Sequence, residues 1–171
     1  MSAPARRSGA IPWAEMVITA AAVVGLDQLS KALVIDSIDV GDRNYVLPFL
    51  DFVHVQNEGV AFGFLGESSQ GIVLAVTLAA LALVVGWFAF NRDRPLAWLA
   101  VGLLAGGAIG NLIDRFARDG VVDFIDFPSW PSFNFADIAI TMGAVTLALI
   151  ALAGPETGEK DTNGTPERAS G

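Results

Sequence analysis

Four apolar runs constrain the fold of this chain more than any other feature. They occupy residues 13–35, 70–90, 96–116 and 133–153. Each is long enough, at about 1.5 Å of helix rise per residue, to cross a hydrocarbon layer of roughly 30 Å. Because 53% of the residues are hydrophobic and only 16% are charged, four transmembrane helices are predicted. The first run is too long for the apolar part of a cleavable signal peptide.

The remaining segments are short termini and connections. We expect residues 1–12 to form a cytoplasmic N-terminal arm and residues 13–153 a single four-span domain. Residues 154–171 are rich in Gly, Pro, Thr and charge, which is typical of a disordered tail, here on the cytoplasmic side. Residues 36–69 and 117–132 are predicted to be the two outer connections.

Basic residues near the ends of the runs predict the orientation. One side has Arg6, Arg7, Arg92, Arg94 and Lys160, and the other has Arg43, Arg118 and Arg115 close to the span end. The positive-inside rule therefore places both termini in the cytoplasm. The formal net charge of −8 then reflects acidic outer connections rather than an acidic soluble surface, and we expect no nucleic-acid partner.

A strand-like segment interrupts the first outer connection. Residues 45–55, YVLPFLDFVHV, have strand composition and partial alternation between turn residues. The predicted fold class is therefore an all-α membrane protein, with four transmembrane helices and a small extramembrane β-sheet on the outer side. The next segment, NEGVAFGFLGESSQG, is rich in glycine and aromatic residues and is predicted to be a loop at the headgroup level.

Polar residues within the first and third runs need partners, because ionisable groups in hydrocarbon are costly. Asp27 and Lys31 are four residues apart, so they are predicted to form an ion pair that faces the bundle. Gln28 is expected to make an interhelical hydrogen bond. In the third run three glycines recur every four residues and predict a close contact with another helix. They are Gly102, Gly106 and Gly110.

The end of the third run and the start of the fourth carry the candidate chemistry. Asn111, Asp114 and Arg115 are predicted to form a network at the helix end. Asp123 lies in the following connection, and Asp137 lies three residues after Asn134 on the same helix face. The two aspartates are therefore delivered to a similar depth.

Two close carboxyls suit aspartic hydrolysis. One keeps a proton and polarises the scissile carbonyl, while the other acts as a base toward water. From spacing alone, independent ion pairs or helix-end bonds for each acid stay equally open, and Asp126 is a rival to Asp123. Three other classes of chemistry are disfavoured. The chain has no cysteine, His54 is its only histidine, and a serine nucleophile lacks the partners that it needs.

Two further function classes stay open at this point. Intramembrane Asp, Lys, Arg and Asn also mark ion routes, so a small ion-coupled or proton-coupled transporter is the alternative. The clustering of the acids at one interface disfavours it. A purely structural membrane protein is the third interpretation, and it predicts no cleavage of any precursor.

Five separated motifs resemble those of the lipoprotein signal peptidases, or signal peptidase II family. They are DQLSK, NEGVAFGF, GNLIDR, VVDFI and FNFADIAI, in this order across residues 27–143. Each motif alone is weak, but the ordered set is highly specific.

The resemblance implies a four-helix aspartic endopeptidase of the bacterial plasma membrane, without metal or organic cofactor, with its active site near the outer face. It implies cleavage of diacylglyceryl-modified prolipoproteins on the N-terminal side of the lipidated cysteine. The catalytic aspartates of the family correspond to Asp123 and Asp137. Membrane lipid and globomycin-type inhibitors are further expected partners, and residues 57–64, with Phe62, are predicted to close over the site. The supporting polar residues correspond to Asp27, Lys31, Asn57, Asn111, Asp114, Arg115 and Asn134.

Overall fold

A computed structural model of the chain describes residues 10–57 and 68–154. In this part of the chain, four helices are long and apolar enough to cross a membrane, as predicted. They are α1 (Ala10–Ser37), α2 (Ser68–Asn91), α3 (Ala97–Arg118) and α4 (Phe135–Leu152). Helix α1 extends beyond the predicted apolar run at both ends, and the strongly apolar part of α2 is Gly71–Asn91.

Helix α3 lies at the centre of the bundle and packs against the other three helices. Its glycines explain how the helix backbones approach so closely. A Cβ added to Gly106 would lie 2.7 Å from Cβ of Val23 on α1, and one added to Gly107 would lie 2.4 Å from the carbonyl oxygen of Ala136 on α4. The predicted packing of the glycine face is confirmed, and its neighbour is α1.

A three-stranded antiparallel sheet is formed by the segments that connect α1 to α2 and α3 to α4. It consists of β1 (Arg43–Leu47), β2 (Leu50–Asn57) and β3 (Val121–Asp126), in the order β1-β2-β3. Apolar side chains pack the sheet against the end of α1. Val34 in the last turn of α1 and Ile38 just after it pack with Phe124 and Ile125 of β3. The small sheet of the predicted fold class is confirmed.

Strand β3 lies within the connection that the sequence analysis treats as a loop. Its first five residues are buried, so it is covered on both faces and lacks the alternation that marks a half-exposed strand. In the register with β2, Val55 is opposite Asp123 and Gln56 is opposite Val122. The strand therefore fixes the position of Asp123, which a mobile loop would not.

Candidate active site

A network of buried polar side chains joins α1, α3, β3 and α4 where the helices meet the sheet. Every fully buried side-chain nitrogen and oxygen atom in the described residues has a hydrogen-bond partner. Such satisfaction is required, because an unpaired polar group in a dry interior costs about 1–3 kcal/mol. The buried members are Asp27, Lys31, Asn111, Asp114, Asp123 and Asn134.

Lys31 is the cationic centre of this network and is fully buried. Its Nζ lies 2.8 Å from Oδ2 of Asp27 and 2.7 Å from Oδ2 of Asp114. The third partner is Oδ1 of Asn111, at 3.0 Å. The predicted pair of Asp27 and Lys31 is confirmed, but the lysine also joins α1 to α3.

Asp27 connects α1 to the start of α4. Its Oδ1 accepts a hydrogen bond of 3.0 Å from the backbone nitrogen of Ala136. The carboxyl reaches α4 past Gly110, where an added Cβ would lie 2.6 Å from Oδ2 of Asp27. Gly110 therefore serves this polar contact as well as helix packing.

Asn111 connects Lys31 to Asp137, the aspartate on α4, by hydrogen bonds. Its Oδ1 accepts hydrogen bonds from Lys31 and from Nδ2 of Asn134, the latter at 3.2 Å. Its Nδ2 donates to Oδ1 of Asp137 at 2.9 Å. Both ends of the amide are thus committed, which fixes its orientation.

Asn134 contacts both candidate catalytic aspartates. As the N-cap of α4, its Oδ1 accepts from the backbone nitrogen of Asp137 at 3.0 Å, and its own backbone nitrogen donates to Oδ2 of Asp137 at 3.2 Å. This reciprocal pattern is a capping box. Its Nδ2 also donates to Oδ1 of Asp123 at 2.7 Å. Both carboxyls therefore accept a hydrogen bond from one residue.

Asp123 is the more buried of the two acids, with only 3% of its surface exposed. Its Oδ2 accepts a hydrogen bond of 3.0 Å from Nδ2 of Asn57 on β2. Burial raises the pKa of Asp123 to about 6, and repulsion by Asp137 adds to the rise. The hydrogen bonds from Asn57 and Asn134 and the attraction of Lys31 oppose it. A pKa in this range lets the group exchange a proton near neutral pH.

Asp137 is half-buried and borders a cavity of about 300 Å³. The rest of the lining is mainly apolar and aromatic, with one hydroxyl. The buried network therefore opens to this cavity at Asp137. The other lining residues are Trp130, Phe133, Ile138, Thr141 and Met142.

Asp114 makes different contacts from those expected at the helix end. It pairs with Lys31 and with Arg118, and its Oδ2 accepts from the backbone nitrogen of Val122 at 3.2 Å. Arg115 instead donates to the backbone oxygen of its own-helix residue Asn111 at 3.1 Å. The expected interhelical bond of Gln28 is confirmed, because its Nε2 lies 3.0 Å from Oδ1 of Asp114.

Arg118 is the member of the network that sequence reasoning missed. Its NH1 donates to Oδ1 of Asp114 and to Oε1 of Gln28. The spacing of four residues from Asp114 is the signal that could have identified it, since such residues are neighbours on a helix.

Asp126, the rival acid in the sequence, is engaged elsewhere. NH1 of Arg43 lies 2.7 Å from Oδ2 of Asp126 and 2.7 Å from Oδ2 of Asp51, so this arginine joins all three strands. The ion pairs brace the sheet and leave Asp123 as the acid of β3 in the buried network. Within the 57–64 motif, only Asn57 belongs to the described residues, so the predicted closing segment with Phe62 lies outside them.

Among residues 10–57 and 68–154, no group of three or more His, Asp or Glu side chains could hold a metal ion. A larger cavity does not compete with the one beside Asp137. A cavity of about 610 Å³ lies between the α2–α3 connection and the end of α4, bordered by Asp93, Arg94, Leu149 and Ile150. It contacts neither Asp123 nor Asp137, whereas the smaller cavity is lined by Asp137 and is therefore the candidate site.

Comparisons with known proteins agree with this architecture. The family model described as signal peptidase (SPase) II matches residues 19–153. A lipoprotein signal peptidase of Azoarcus sp. is 40% identical over 169 residues, covering 94% of this chain and 92% of the relative. One of Syntrophomonas wolfei is 42% identical over 132 residues, covering 76% of this chain and 87% of the relative.

A solved structure is also similar over most of the chain. It is described as a bacterial membrane enzyme determined by the in meso method at 1.9 Å resolution, and it is 34% identical with a TM-score of 0.74. The match covers 82% of this chain and 93% of that chain. From the family model and these relatives, the chain belongs to the signal peptidase II family.

Proposed function

We propose that the chain is a membrane aspartic endopeptidase whose catalytic residues are Asp123 and Asp137. Family membership makes it a protease that removes signal peptides from lipoproteins, and the proposal adds the two aspartates and the cleavage site. The observation that carries it is the shared contact of both carboxyls with Asn134. The competing interpretation is an independent ion pair or helix-end bond for each acid. Asp137 does make a helix-end bond with the backbone nitrogen of Asn134, but Asn134 also donates to Asp123. The ion pairs of the described residues involve other acids.

The two acids have different surroundings, and this favours different protonation. Like charges in one dry site cannot both ionise easily, so in the proposed mechanism one of the two carboxyls holds a proton. The greater burial of Asp123, which raises its pKa to about 6, favours the proton on that residue. Asp137, which borders the cavity, is then the base.

The proposed reaction proceeds in two steps with one water molecule. In the first step, Asp137 takes a proton from the water while the oxygen of the water attacks the scissile carbonyl carbon. At the same time Asp123 gives its proton to the carbonyl oxygen. In the second, the carbon–nitrogen bond breaks as Asp137 gives the proton to the leaving nitrogen. Asp123 recovers its proton from the collapsing diol, so the pair returns to its starting state.

The supporting residues act through the pair. Asn57 and Asn134 donate to Asp123, and Asn111 donates to Asp137. These fixed donors orient both carboxyls before the substrate arrives, which lowers the reorganisation needed in the transition state. Lys31 and Arg115 contact Asn111. Asp27 and Asp114 pair with Lys31 and accept hydrogen bonds from the backbone of α4 and β3.

The substrate that best fits is a precursor with a diacylglyceryl-modified cysteine, cut on the N-terminal side of that cysteine. Its peptide backbone must be sheltered by protein inside the membrane, and the apolar lining beside Asp137 supports such contacts. Membrane lipid and globomycin-type inhibitors are proposed to approach the same opening.

This function requires the site to face the outer side, with both termini in the cytoplasm. The chain has no cysteine, so single cysteines can report the orientation directly. A membrane-impermeant maleimide applied to intact spheroplasts should label Asp39→Cys and spare Arg92→Cys. If only Arg92→Cys were labelled, the orientation would be the reverse of the proposed one.

The proposed substrate is tested with purified protein and two versions of one precursor, with and without the diacylglyceryl group. We expect the lipidated version alone to be cut, with mass spectrometry placing the new N-terminus at the modified cysteine. Equal cleavage of both versions, or cleavage at another bond, would contradict the proposed specificity.

A further inference from the structure

Arg118, the last residue of α3, is linked to β2 through its backbone oxygen and to β3 through Asp114. Its side chain is 29% exposed, whereas its partner Asp114 is fully buried. NH1 donates to Oδ1 of Asp114 and, at 3.2 Å, to Oε1 of Gln28 on α1. The guanidinium therefore lies at the edge of the buried network, on the side of the strands.

The first connection runs through Asp114 to β3. While Oδ1 of Asp114 accepts from Arg118, its Oδ2 accepts from the backbone nitrogen of Val122 at 3.2 Å. Val122 directly precedes Asp123, so the orientation of the Asp114 carboxylate fixes the strand backbone next to Asp123. A carboxylate with donors on both oxygens has little freedom to rotate.

The second connection runs through the backbone of Arg118 to β2. Nε2 of Gln56 donates to the carbonyl oxygen of Arg118. The next residue, Asn57, donates to Oδ2 of Asp123 at 3.0 Å. The strands approach closely here, because a Cβ added to Gly120 would lie 3.0 Å from Cγ of Gln56. The end of α3 thus also sets the position of this second donor.

Arg118 also balances the charge of the network. The network contains the carboxylates of Asp27 and Asp114, and the cations of Lys31 and Arg118 balance them. Without Arg118, two acids would share one lysine. A buried network with an excess charge is costly, and the excess negative charge would act on the nearby carboxyls.

From these contacts, we propose that Arg118 is a positioning residue that holds the Asp123 carboxyl through Asp114 and Gln56. The inference rests on the proposed catalytic role of Asp123. Arg118 is not part of the cavity lining, so it acts on turnover rather than on substrate binding.

A purely structural residue would not shift the pH dependence of turnover, whereas this role does. Asp123 is faced by Asp137 from α4 and Lys31 from α1, with hydrogen bonds from Asn57 and Asn134. Loss of a cation makes the ionised carboxyl less favourable. Asp123 must hold its proton to act, so the alkaline limb of the kcat profile, where that proton is lost, should move to higher pH by about 0.3–1 unit.

The experiment compares Arg118→Gln and Arg118→Lys, with Arg92→Gln as the control for charge loss. Gln keeps a donor for Asp114 without the charge, and Lys keeps the charge. Arg92 is exposed in the α2–α3 connection and outside the proposed machinery. The measurements are kcat, KM and the pH profile with a lipidated precursor, and the thermal midpoint.

We expect Arg118→Gln to lower kcat about tenfold with KM within twofold, and to move the alkaline limb to higher pH. Arg118→Lys should restore the alkaline limb, and Arg92→Gln should match the wild type. A wild-type profile and kcat in Arg118→Gln would overturn the inference, as would a loss of kcat with an unshifted limb.

A variant on exposed Gln56 keeps the inference testable if Arg118→Gln does not fold. Gln56→Leu should lower kcat at an unchanged thermal midpoint, and unchanged kcat would overturn the inference. Failure of the proposed function is distinguishable, because then the wild type itself would not cleave the precursor or Asp123→Asn would remain active.

Discussion

Nδ2 of Asn134 lies 2.7 Å from Oδ1 of Asp123. The same side chain caps α4 by accepting, through Oδ1, a hydrogen bond from the backbone nitrogen of Asp137. Asn134 thus couples the start of a membrane helix to the alignment of two acids. Its two roles can be separated, because the cap needs only a short acceptor whereas the contact with Asp123 needs the amide.

The first prediction separates these roles with Asn134→Ser and Asn134→Ala. Serine is a good N-cap but is too short to donate to Asp123, whereas alanine loses both contacts. The loss of the cap costs about 0.5–2 kcal/mol, so the thermal midpoint should fall for Asn134→Ala and change little for Asn134→Ser. Both should lose kcat. Full activity in Asn134→Ser would show that the amide donor is unnecessary.

The second prediction concerns the pH dependence of stability through Asp123. Its pKa is raised from 3.8 to about 6 in the folded protein, so the folded state binds the proton more tightly. This contribution to the free energy of unfolding is fully present below about pH 3.8 and is lost as the pH rises through about 6. It amounts to at most about 3 kcal/mol.

The measurement for this prediction is the difference in unfolding free energy between Asp123→Asn and the wild type. Asparagine does not titrate, so the difference should move in favour of the variant between pH 4 and pH 7. A difference that is constant with pH, or that moves toward the wild type, would contradict the raised pKa.

The third prediction concerns Lys31, which two carboxylates share. Lys31→Met leaves Asp27 and Asp114 with Arg118 as their remaining cation, and breaking a buried pair costs about 3–5 kcal/mol. Adding Asp27→Asn removes one of the uncompensated charges. The double variant should therefore unfold at a higher temperature than Lys31→Met alone. A lower midpoint for the double variant would show that the charge imbalance is not the cause.

The fourth prediction uses two helical glycines as a matched pair. A Cβ on Gly107 would lie 2.4 Å from the carbonyl oxygen of Ala136, whereas one on Gly86 has no atom within 4 Å. Gly107→Ala should push α4 away from α3, lowering the thermal midpoint and the activity. Gly86→Ala should be neutral or stabilising by up to about 1 kcal/mol. Equal effects of the two substitutions would contradict the close packing of α3 and α4.

Sequence spacing predicted the contacts that lie within one helix turn. The pair of Asp27 and Lys31 follows from the helical repeat. Asn134 and Asp137 also contact each other, but as a capping box rather than on one helix face, because Asn134 is the extended residue before α4. The four apolar runs likewise predicted the four helices, because the length of an apolar run decides whether it can span a membrane.

Contacts that depend on the backbone or on burial could not be predicted in this way. The amides of Val122 and Ala136 are partners of Asp114 and Asp27, but a backbone nitrogen has no residue-type signal. Strand β3 has no alternating sequence pattern, because it is buried on both faces. Asp114 pairs with Lys31 and Arg118 rather than with its neighbour Arg115, because adjacent residues on a helix point in different directions.

The most direct test of the central claim is cleavage of one lipidated precursor by Asp123→Asn and by Asp137→Asn. Both proteins are first confirmed to insert and to have normal helix content, and Asp126→Asn serves as the matched control on the same strand. The account predicts that each catalytic variant loses at least about 10³-fold in turnover while the control retains activity. Substantial cleavage by either catalytic variant would contradict it.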